Sequence, residues 1–573
     1  MKTPRRTFVK NSGLAATAFT LLPALSFSQA PNSKTDVDGI LKRLTEINDD
    51  LVEGLLAKQV DLPGDRWHGG VVDVYQLVNT HATVWFFIRL ANSYASPHSR
   101  YHLSEKLEVP MGRAITCLLN VQHEDGTIDL HSTNFHSTPD TAFLVNYISP
   151  VYVVLNRLDR SELVGAVENL KRFLRNSGKH LAVGGIHTPN HRWVVCSALA
   201  RIHSFFPSQH YVDRIEDWLG EGIDMDSDGQ YTEHSVGVYS PTCDDMFITI
   251  GRLLNRPELL DVARKNLDMS LYYIQPGGEV LTDASGRQDN AQTGYVHGYY
   301  YAYRYFALKD RNPVYAAVCR LIENQMPERI TRYISEFLET PDLLKELPKA
   351  TSIPTDYFRR FPHSGVFRIR RGETDLSVIE RNPTFMSFMK GTAVLQSVRL
   401  AAAFFGSRGQ FISEDATVVD ETIALTKSET HGYFQPFPES RRTGDGDMEK
   451  MPRALRTMSE VQQLDYRVEI SESEGVARVD IRIEGTPHVP VSLEMSFRPG
   501  GELKGVIADK NLEGASFLEK GMGQYVHGKD TIKFGPGLAE HKWAEIRGML
   551  PKQNGESVYL TGYTPFKHTL YLK

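Results

Sequence analysis

Asn190 and His191 stand side by side after Thr188 and Pro189 and ahead of the apolar run Val194 to Phe206. Thr188 suits an N-cap and Pro189 the first helical position, which predicts that Asn190 and His191 lie in the first turn of a helix. The positive end of a helix disfavours an imidazolium and favours anions. That placement keeps His191 neutral and able to accept a proton while a carboxylate docks beside it. Asn190 offers an uncharged amide donor to the same carboxylate, and Arg192 adds a cation. Capping and surface roles are the plainer alternative for this pair.

A second polar segment runs from Asp224 through Asp226, Asp228, Gly229, Tyr231, Glu233 and His234 to Gly237, Tyr239 and Pro241. Tyr239 sits in a turn framed by Gly and Pro just before a helix, where a phenol can project into a cavity mouth instead of packing in a core. Asp224, Asp226 and Asp228 alternate as at the start of a calcium loop. The pattern then departs, because position twelve holds Ser235 and Glu233 comes two residues early. A turn with solvated acids is the expectation, and a structural calcium the alternative; no cofactor is required. His131, Asn134, Phe135 and His136 combine imidazole, amide and aromatic groups in one loop, a mixture suited to sugar binding. Arg287, between Asp283 and Asp289, is a candidate carboxylate clamp, with a structural Asp–Arg pair as its alternative. The aromatic run Tyr295 to Tyr301 is read chiefly as core.

Elements must hold these groups in place. From about residue 37 to 345 the apolar spacing is helical, in about a dozen segments, among them 36–57, 73–93, 109–122, 140–156, 189–206 and 240–254. Such a series joined by Gly, Pro and Asn turns predicts paired helices winding into a toroid or incomplete barrel. From about residue 352 the period becomes two, as in Val366 to Arg370, Tyr466 to Ile470, Ala477 to Ile483 and Val491 to Phe497, which predicts an antiparallel β-sandwich. The expected organisation is a segment 1–30, a helical domain 31–350 and a sheet domain 351–573. There is no tandem repeat.

In segment 1–30, Arg5 and Arg6 precede an apolar stretch from Leu14 to Phe27 and a small-x-small site at Ser28 to Ala30, which resembles a twin-arginine export signal. The expectation is a chain exported to the periplasm or beyond, with no membrane span after processing. The 573 residues carry a net charge of −6 with no dense basic run past the N-terminus, which argues against nucleic acid as a partner. The four cysteines are far apart and without metal-ligand spacing, so they are read as buried thiols. Oligomeric state is not legible.

Taken together, Asn190-His191, the stretch Asp228, Gly229, Tyr231, Glu233, Ser235 with Tyr239 about fifty residues on, and the sheet-like C-terminal region resemble the heparinase II/III-like and alginate-lyase-like α/α-toroid polysaccharide lyases. The likeness spans most of the chain in architecture and is specific over those two short stretches. It implies β-elimination on an anionic, uronate-containing polysaccharide or oligosaccharide, with Asn190, His191 and Tyr239 catalytic. Tyr239 would be the base, and the acid as well where the C5 hydrogen and O4 are syn; His191 would orient it or act as base in an anti geometry. The resemblance also implies a contribution from the sheet domain, for which His431 to Tyr433 is the candidate. Substrate-binding expectations are thus His131, Asn134, His136, Arg192, Glu233, Arg287 and Tyr433. The modest local basicity argues against a highly sulfated polymer, and a rhamnosyl-glucuronate end group is the preferred substrate. The rivals are a hydrolase pairing Asp140 with Glu233 or Asp245, and a non-catalytic glycan-binding protein.

Overall fold

A computed structural model of the chain describes residues 39–406 and 409–573. The expected export segment lies outside the described residues. The chain divides into a helical unit, up to Ile353 apart from Gln275–Gly277, and a sheet unit formed by those three residues and Pro354–Lys573.

Twelve α-helices make up the described part of the helical unit: α1 (Gly39–Leu56), α2 (Thr80–Ala95), α3 (Glu105–Val121), α4 (Thr138–Arg157), α5 (Val164–Leu181), α6 (Pro189–Phe205), α7 (Gln209–Gly220), α8 (Tyr239–Leu253), α9 (Pro257–Ser270), α10 (Tyr300–Lys309), α11 (Pro313–Gln325) and α12 (Ile334–Glu339). The even-numbered helices from α2 to α10 pack each on the next, and each odd-numbered one packs on the even-numbered helix before it. Burial separates the two rows. In α6 every residue from Asn190 to Ile202 is buried, whereas α7 buries Ile215 alone. A helix enclosed on all sides is an inner one, and a helix with a single apolar stripe faces solvent. α12 returns to pack on α1, α2 and α4. This is the expected helical toroid.

Two-stranded ribbons precede three inner helices: Val71–Val72 with Val78–Asn79 before α2, Ile128–Leu130 with Asn134–Ser137 before α4, and Glu279–Val280 with Gly294–Tyr295 before α10. The first ribbon corrects the expected helix from Asp73. The Asp73 carboxylate accepts the backbone N–H groups of Tyr75 (2.8 Å) and Leu77 (3.1 Å), and Gln76 turns to a φ of 61°. That Asx-type turn competes with helix, so α2 starts only after Asn79, whose side chain accepts the Ala82 N–H at 2.7 Å. All four cysteines are buried thiols, and among the described residues no helix is long and apolar enough to cross a membrane.

The sheet unit is a sandwich. One sheet runs Ile507–Ala508, Ala515–Phe517, Glu556–Tyr563, Pro490–Phe497, Ala393–Ala402, Met386–Lys390, Thr374–Ile379, Val366–Arg371, Asp356–Phe361. The other runs Asp415–Val419, Thr422–Phe434, Met458–Ser473, Val476–Gly485, Phe566–Leu572, Asp530–Gly535, Gly523–His527, Glu502–Lys504. Pairing is antiparallel except between Ala515–Phe517 and Glu556–Tyr563. Val398, Leu493 and Met495 of the first sheet share one core with Val468, Ile481 and Leu570 of the second.

In Val476–Gly485 buried Ala477, Val479, Ile481 and Ile483 alternate with more exposed residues, as the period of two predicts. Val366–Arg371 differs, being buried on both faces from Val366 to Arg370. Arg368 is tolerated there because its guanidinium pairs with Asp375 at 2.8 and 2.6 Å, with both side chains fully buried. Removing Asp375 leaves the buried guanidinium without its counter-charge. Asp375→Ala is therefore expected to destabilise the sheet unit by about 3–5 kcal/mol, measured by denaturant unfolding.

Candidate active site

The first turns of the inner helices carry the polar chemistry of the helical unit. At α6, Thr188 holds the extended N-cap conformation but its side chain makes no capping bond. The cap comes instead from 43 residues along the chain: Glu233 Oε1 accepts the Asn190 backbone N–H at 2.8 Å and the Asn190 Nδ2 at 2.6 Å. Asn190 Nδ2 also donates to Thr188 Oγ1 at 3.1 Å. The helix end favours an anion, and the chain supplies that anion itself. This alters the expectation for Asn190, whose amide donors are engaged within the protein. Its buried Oδ1 is the atom that has no hydrogen-bond partner.

His191, the next residue, is 7 % exposed. His187 and Phe143 meet its ring edge-on, at centroid distances of 4.7 and 6.2 Å. Burial, aided by the positive charges of His187 and Arg287 and opposed by Asp140, lowers its pKa to about 4. Its Nδ1 is buried without a hydrogen bond. A neutral imidazole keeps one nitrogen lone pair with which to accept a proton.

Tyr239 opens α8, with its N–H donating to Ser235 Oγ at 3.1 Å. Gln288 Nε2 donates to its phenolic oxygen at 2.6 Å, and the Arg287 guanidinium stands 5.4 Å from its ring centre. Arg287 Nε lies 3.5 Å from Glu233 Oε2. Asp289 anchors this loop by accepting from Gly237 N at 2.8 Å, Ser235 Oγ at 3.0 Å and Ser285 Oγ at 2.9 Å. Asn190, Glu233, Arg287 and Tyr239 thus form one connected cluster, and His191 lies within the electrostatic reach of Arg287.

Other expected residues stand elsewhere. Arg192 is a correction: it is 8 % exposed, stacks on Trp193 at 4.5 Å, and reaches Gly222 O at 3.0 Å, Asp224 at 3.2 Å and Glu221 at 3.3 Å. It is held as a structural ion pair. The acidic trio does not converge, and among the described residues no group of three or more metal-ligating side chains could hold an ion. Asp224 instead accepts from Trp193 Nε1 (2.6 Å) and Thr232 Oγ1 (3.1 Å), and Asp226 accepts from the Gln230 N–H at 2.9 Å within the turn. His136 is exposed, bonds Asp125 at 2.9 Å and stacks on His123 at 3.8 Å. His131 meets Trp67 edge-on at 5.2 Å, and Asn134 donates to Asp140 at 2.8 Å. Tyr433 belongs to the sheet unit, where it is exposed beside Phe405.

Sequence reasoning missed Gln288 and His187 as partners of the cluster, since each gains meaning only from the ring it faces. It also missed a cavity of about 50 Å³ whose lining includes Trp85, Tyr147, Asp245, Thr249, Arg332 and Glu336. At roughly 10–15 Å³ for each water, that space suits a few waters and no sugar ring. Burial pushes Asp245 up to about 8 there, against the pull of Arg332.

The His191 environment makes stability depend on pH. The folded ring takes a proton only near pH 4 and the unfolded one near 6.5, so between those values the unfolded chain binds more protons. The stabilisation is complete above pH 6.5 and is lost as pH falls towards 4, by about 3 kcal/mol. His191→Phe should flatten that part of the stability profile. In an NMR titration the wild-type ring should stay neutral down to about pH 5; a midpoint near 6.5 would contradict the buried setting.

No protein-family model matches the sequence, and no curated protein matches it. Solved structures do resemble it in fold. A Streptomyces coelicolor A3 chondroitin AC lyase in complex with chondroitin sulphate aligns over 98 % of this chain and 81 % of its own, with a TM-score of 0.53 and 12 % identity. Heparinase III aligns over 96 % of this chain and 87 % of its own (TM-score 0.53, 10 % identity). A Paenibacillus xanthan lyase aligns over 94 % of this chain and 57 % of its own (TM-score 0.56, 9 % identity). A helical toroid followed by an antiparallel sandwich is what such a likeness requires, and this chain therefore has the fold of the α/α-toroid polysaccharide lyases.

Proposed function

We propose that this chain cleaves a uronate-containing anionic polysaccharide by β-elimination and leaves a 4,5-unsaturated uronate. The observation that carries this reading is the buried, neutral His191 with a vacant Nδ1 in the same cluster as Tyr239, whose hydroxyl Gln288 holds and whose ring Arg287 faces. The fold likeness to chondroitin AC lyase, heparinase III and xanthan lyase supports it.

The chemistry sets the roles. A C5 proton beside a carboxylate is weakly acidic until the carboxylate charge is neutralised. Arg287 is a third exposed and makes no hydrogen bond to Glu233, so its donors can meet the uronate. The base is drawn from Tyr239 and His191. As it takes the C5 proton, the C4–C5 double bond forms and the C4–O4 bond breaks. One arginine at the cluster suits one carboxylate better than a densely sulfated chain, which favours a glucuronate glycan such as a rhamnosyl-glucuronate end. The Arg5-Arg6 segment supports action outside the cytoplasm.

The hydrolase rival needs a carboxylic acid poised to donate a proton at the scissile bond. Asp140 is held below its ordinary range, Glu233 is bonded to Asn190, and Asp245 faces the water-sized cavity. The test is a panel of uronate glycans followed by ultraviolet absorbance of the unsaturated product. The wild type should generate that chromophore, and Tyr239→Phe should lower kcat by about 10²–10⁴-fold. Cleavage without the chromophore would establish hydrolysis, and full activity in Tyr239→Phe would remove Tyr239 from the mechanism.

A further inference from the structure

Elimination moves two protons, one away from C5 and one onto O4. His191 and Tyr239 provide acceptors for the first, and in a syn geometry Tyr239 would have to serve both. A separate donor for the second can be sought on inner helix α2, which packs on α4. His81 is the second residue of α2, and its Nε2 is buried 3.4 Å from Asp140 Oδ1, while a quarter of the side chain stays exposed. That distance is within ion-pair reach and short of a formed hydrogen bond, as catalytic contacts often are before a ligand closes the site.

Asp140 is built to face it. It lies in the first turn of α4, is 6 % exposed, and its other oxygen accepts from Ser137 Oγ at 2.5 Å and Asn134 Nδ2 at 2.8 Å. Burial pushes this carboxyl up, but His81, Ser137 and Asn134 outweigh it and hold the group ionised. A fixed carboxylate beside one imidazole nitrogen sets the tautomer and leaves the other nitrogen to exchange protons with a solute. Here Nε2 is turned to Asp140, so Nδ1 is the exchanging atom. α4 packs on both α2 and α6, and the charge of Asp140 is felt at His191 as well. Two imidazoles therefore flank one region in opposite settings, one against a carboxylate and one among rings.

Resting on the elimination reading above, we propose that His81 is the general acid of this site and that Asp140 positions it. As His191, or Tyr239 as its phenolate, takes the C5 proton and the C4–C5 double bond forms, the C4–O4 bonding pair departs with O4, which takes the proton that His81 carries on Nδ1 in its imidazolium form and leaves a neutral ring with its Nε2–H turned to Asp140. The base ends with one proton more and His81 with one fewer, and both return to their starting states through solvent.

The test compares two leaving groups on the full chain: a 4-O-glycosyl glucuronate glycan, whose O4 needs a proton, and a 4-deoxy-4-fluoro glucuronide, whose fluoride leaves without one. His81→Gln should lower kcat/KM on the glycan by about 10²–10⁴-fold and on the fluoride by less than about fivefold. Asp140→Asn should show the same split, which a merely structural role would not produce. Equal losses on both leaving groups, or no loss on the glycan, overturn the proposal. Should the wild type not accept the fluoride, imidazole added to His81→Gly decides on the glycan itself: restored elimination supports the acid role, and no restoration overturns it. A wild type that forms no unsaturated product from any uronate glycan overturns the elimination reading, and the acid role with it.

Discussion

The carboxylate of Glu233 on the first turn of α6 is the contact around which the helical unit's polar end is organised. A helix start leaves N–H groups unpaired and a partial positive charge behind them. At α6 no local side chain answers this, so a residue 43 positions away does, and its bond to Asn190 ties the 224–239 segment to the helix. The other oxygen of Glu233 draws in Arg287, and with it the loop that brings Gln288 to Tyr239. One anion thus brings together three stretches of chain that share no sequence neighbourhood.

The toroid explains why chemistry gathers there. Inner helices are buried along their length, and polar groups in their middles are spent on one another, as Ser197 is on Asn146 at 2.7 Å, while their first turns open onto loops. Asn79 and Ser137 cap α2 and α4 from their own side chains, and α6 borrows Glu233. Each arrangement leaves a different residue at the helix mouth: His81, Asp140, His191. Their settings differ because their neighbours do. His191 is surrounded by rings and is kept neutral, whereas Asp140 receives hydrogen bonds that keep it charged in spite of burial.

How much of this was legible follows from range. Pro189 after Thr188 marks a helix start locally, so the place of Asn190 and His191 could be read from adjacent residues. The cap from Glu233 could not, because nothing local distinguishes a carboxylate that reaches another helix from one in solvent. Arg192 misled for a similar reason: beside Asn190 and His191 in sequence, it points to Trp193 and Asp224 in space. His81 was hidden by a boundary. With a helix expected from Asp73 it would fall in mid-helix, and only the turn made by the Asp73 carboxylate brings it to the first turn of α2. In the sheet unit alternation located the strands, yet Val366–Arg371 is buried on both faces, which its two-residue period could not foretell.

The same contact bears on substrate charge. Had Glu233 bonded Arg287 in the two-pronged way that Asp375 bonds Arg368, the guanidinium would have been closed to other anions. At 3.5 Å the attraction persists without a hydrogen bond, and a third of the Arg287 side chain stays exposed. Glu233 also places a negative charge at the cluster, so under the proposed function an incoming uronate would share the cation with it. On the proposed function, a single carboxylate bonded directly to the guanidinium would offset the repulsion from Glu233, whereas several sulfates at that point would not. The anion that organises α6 would then also limit how much negative charge the site accepts.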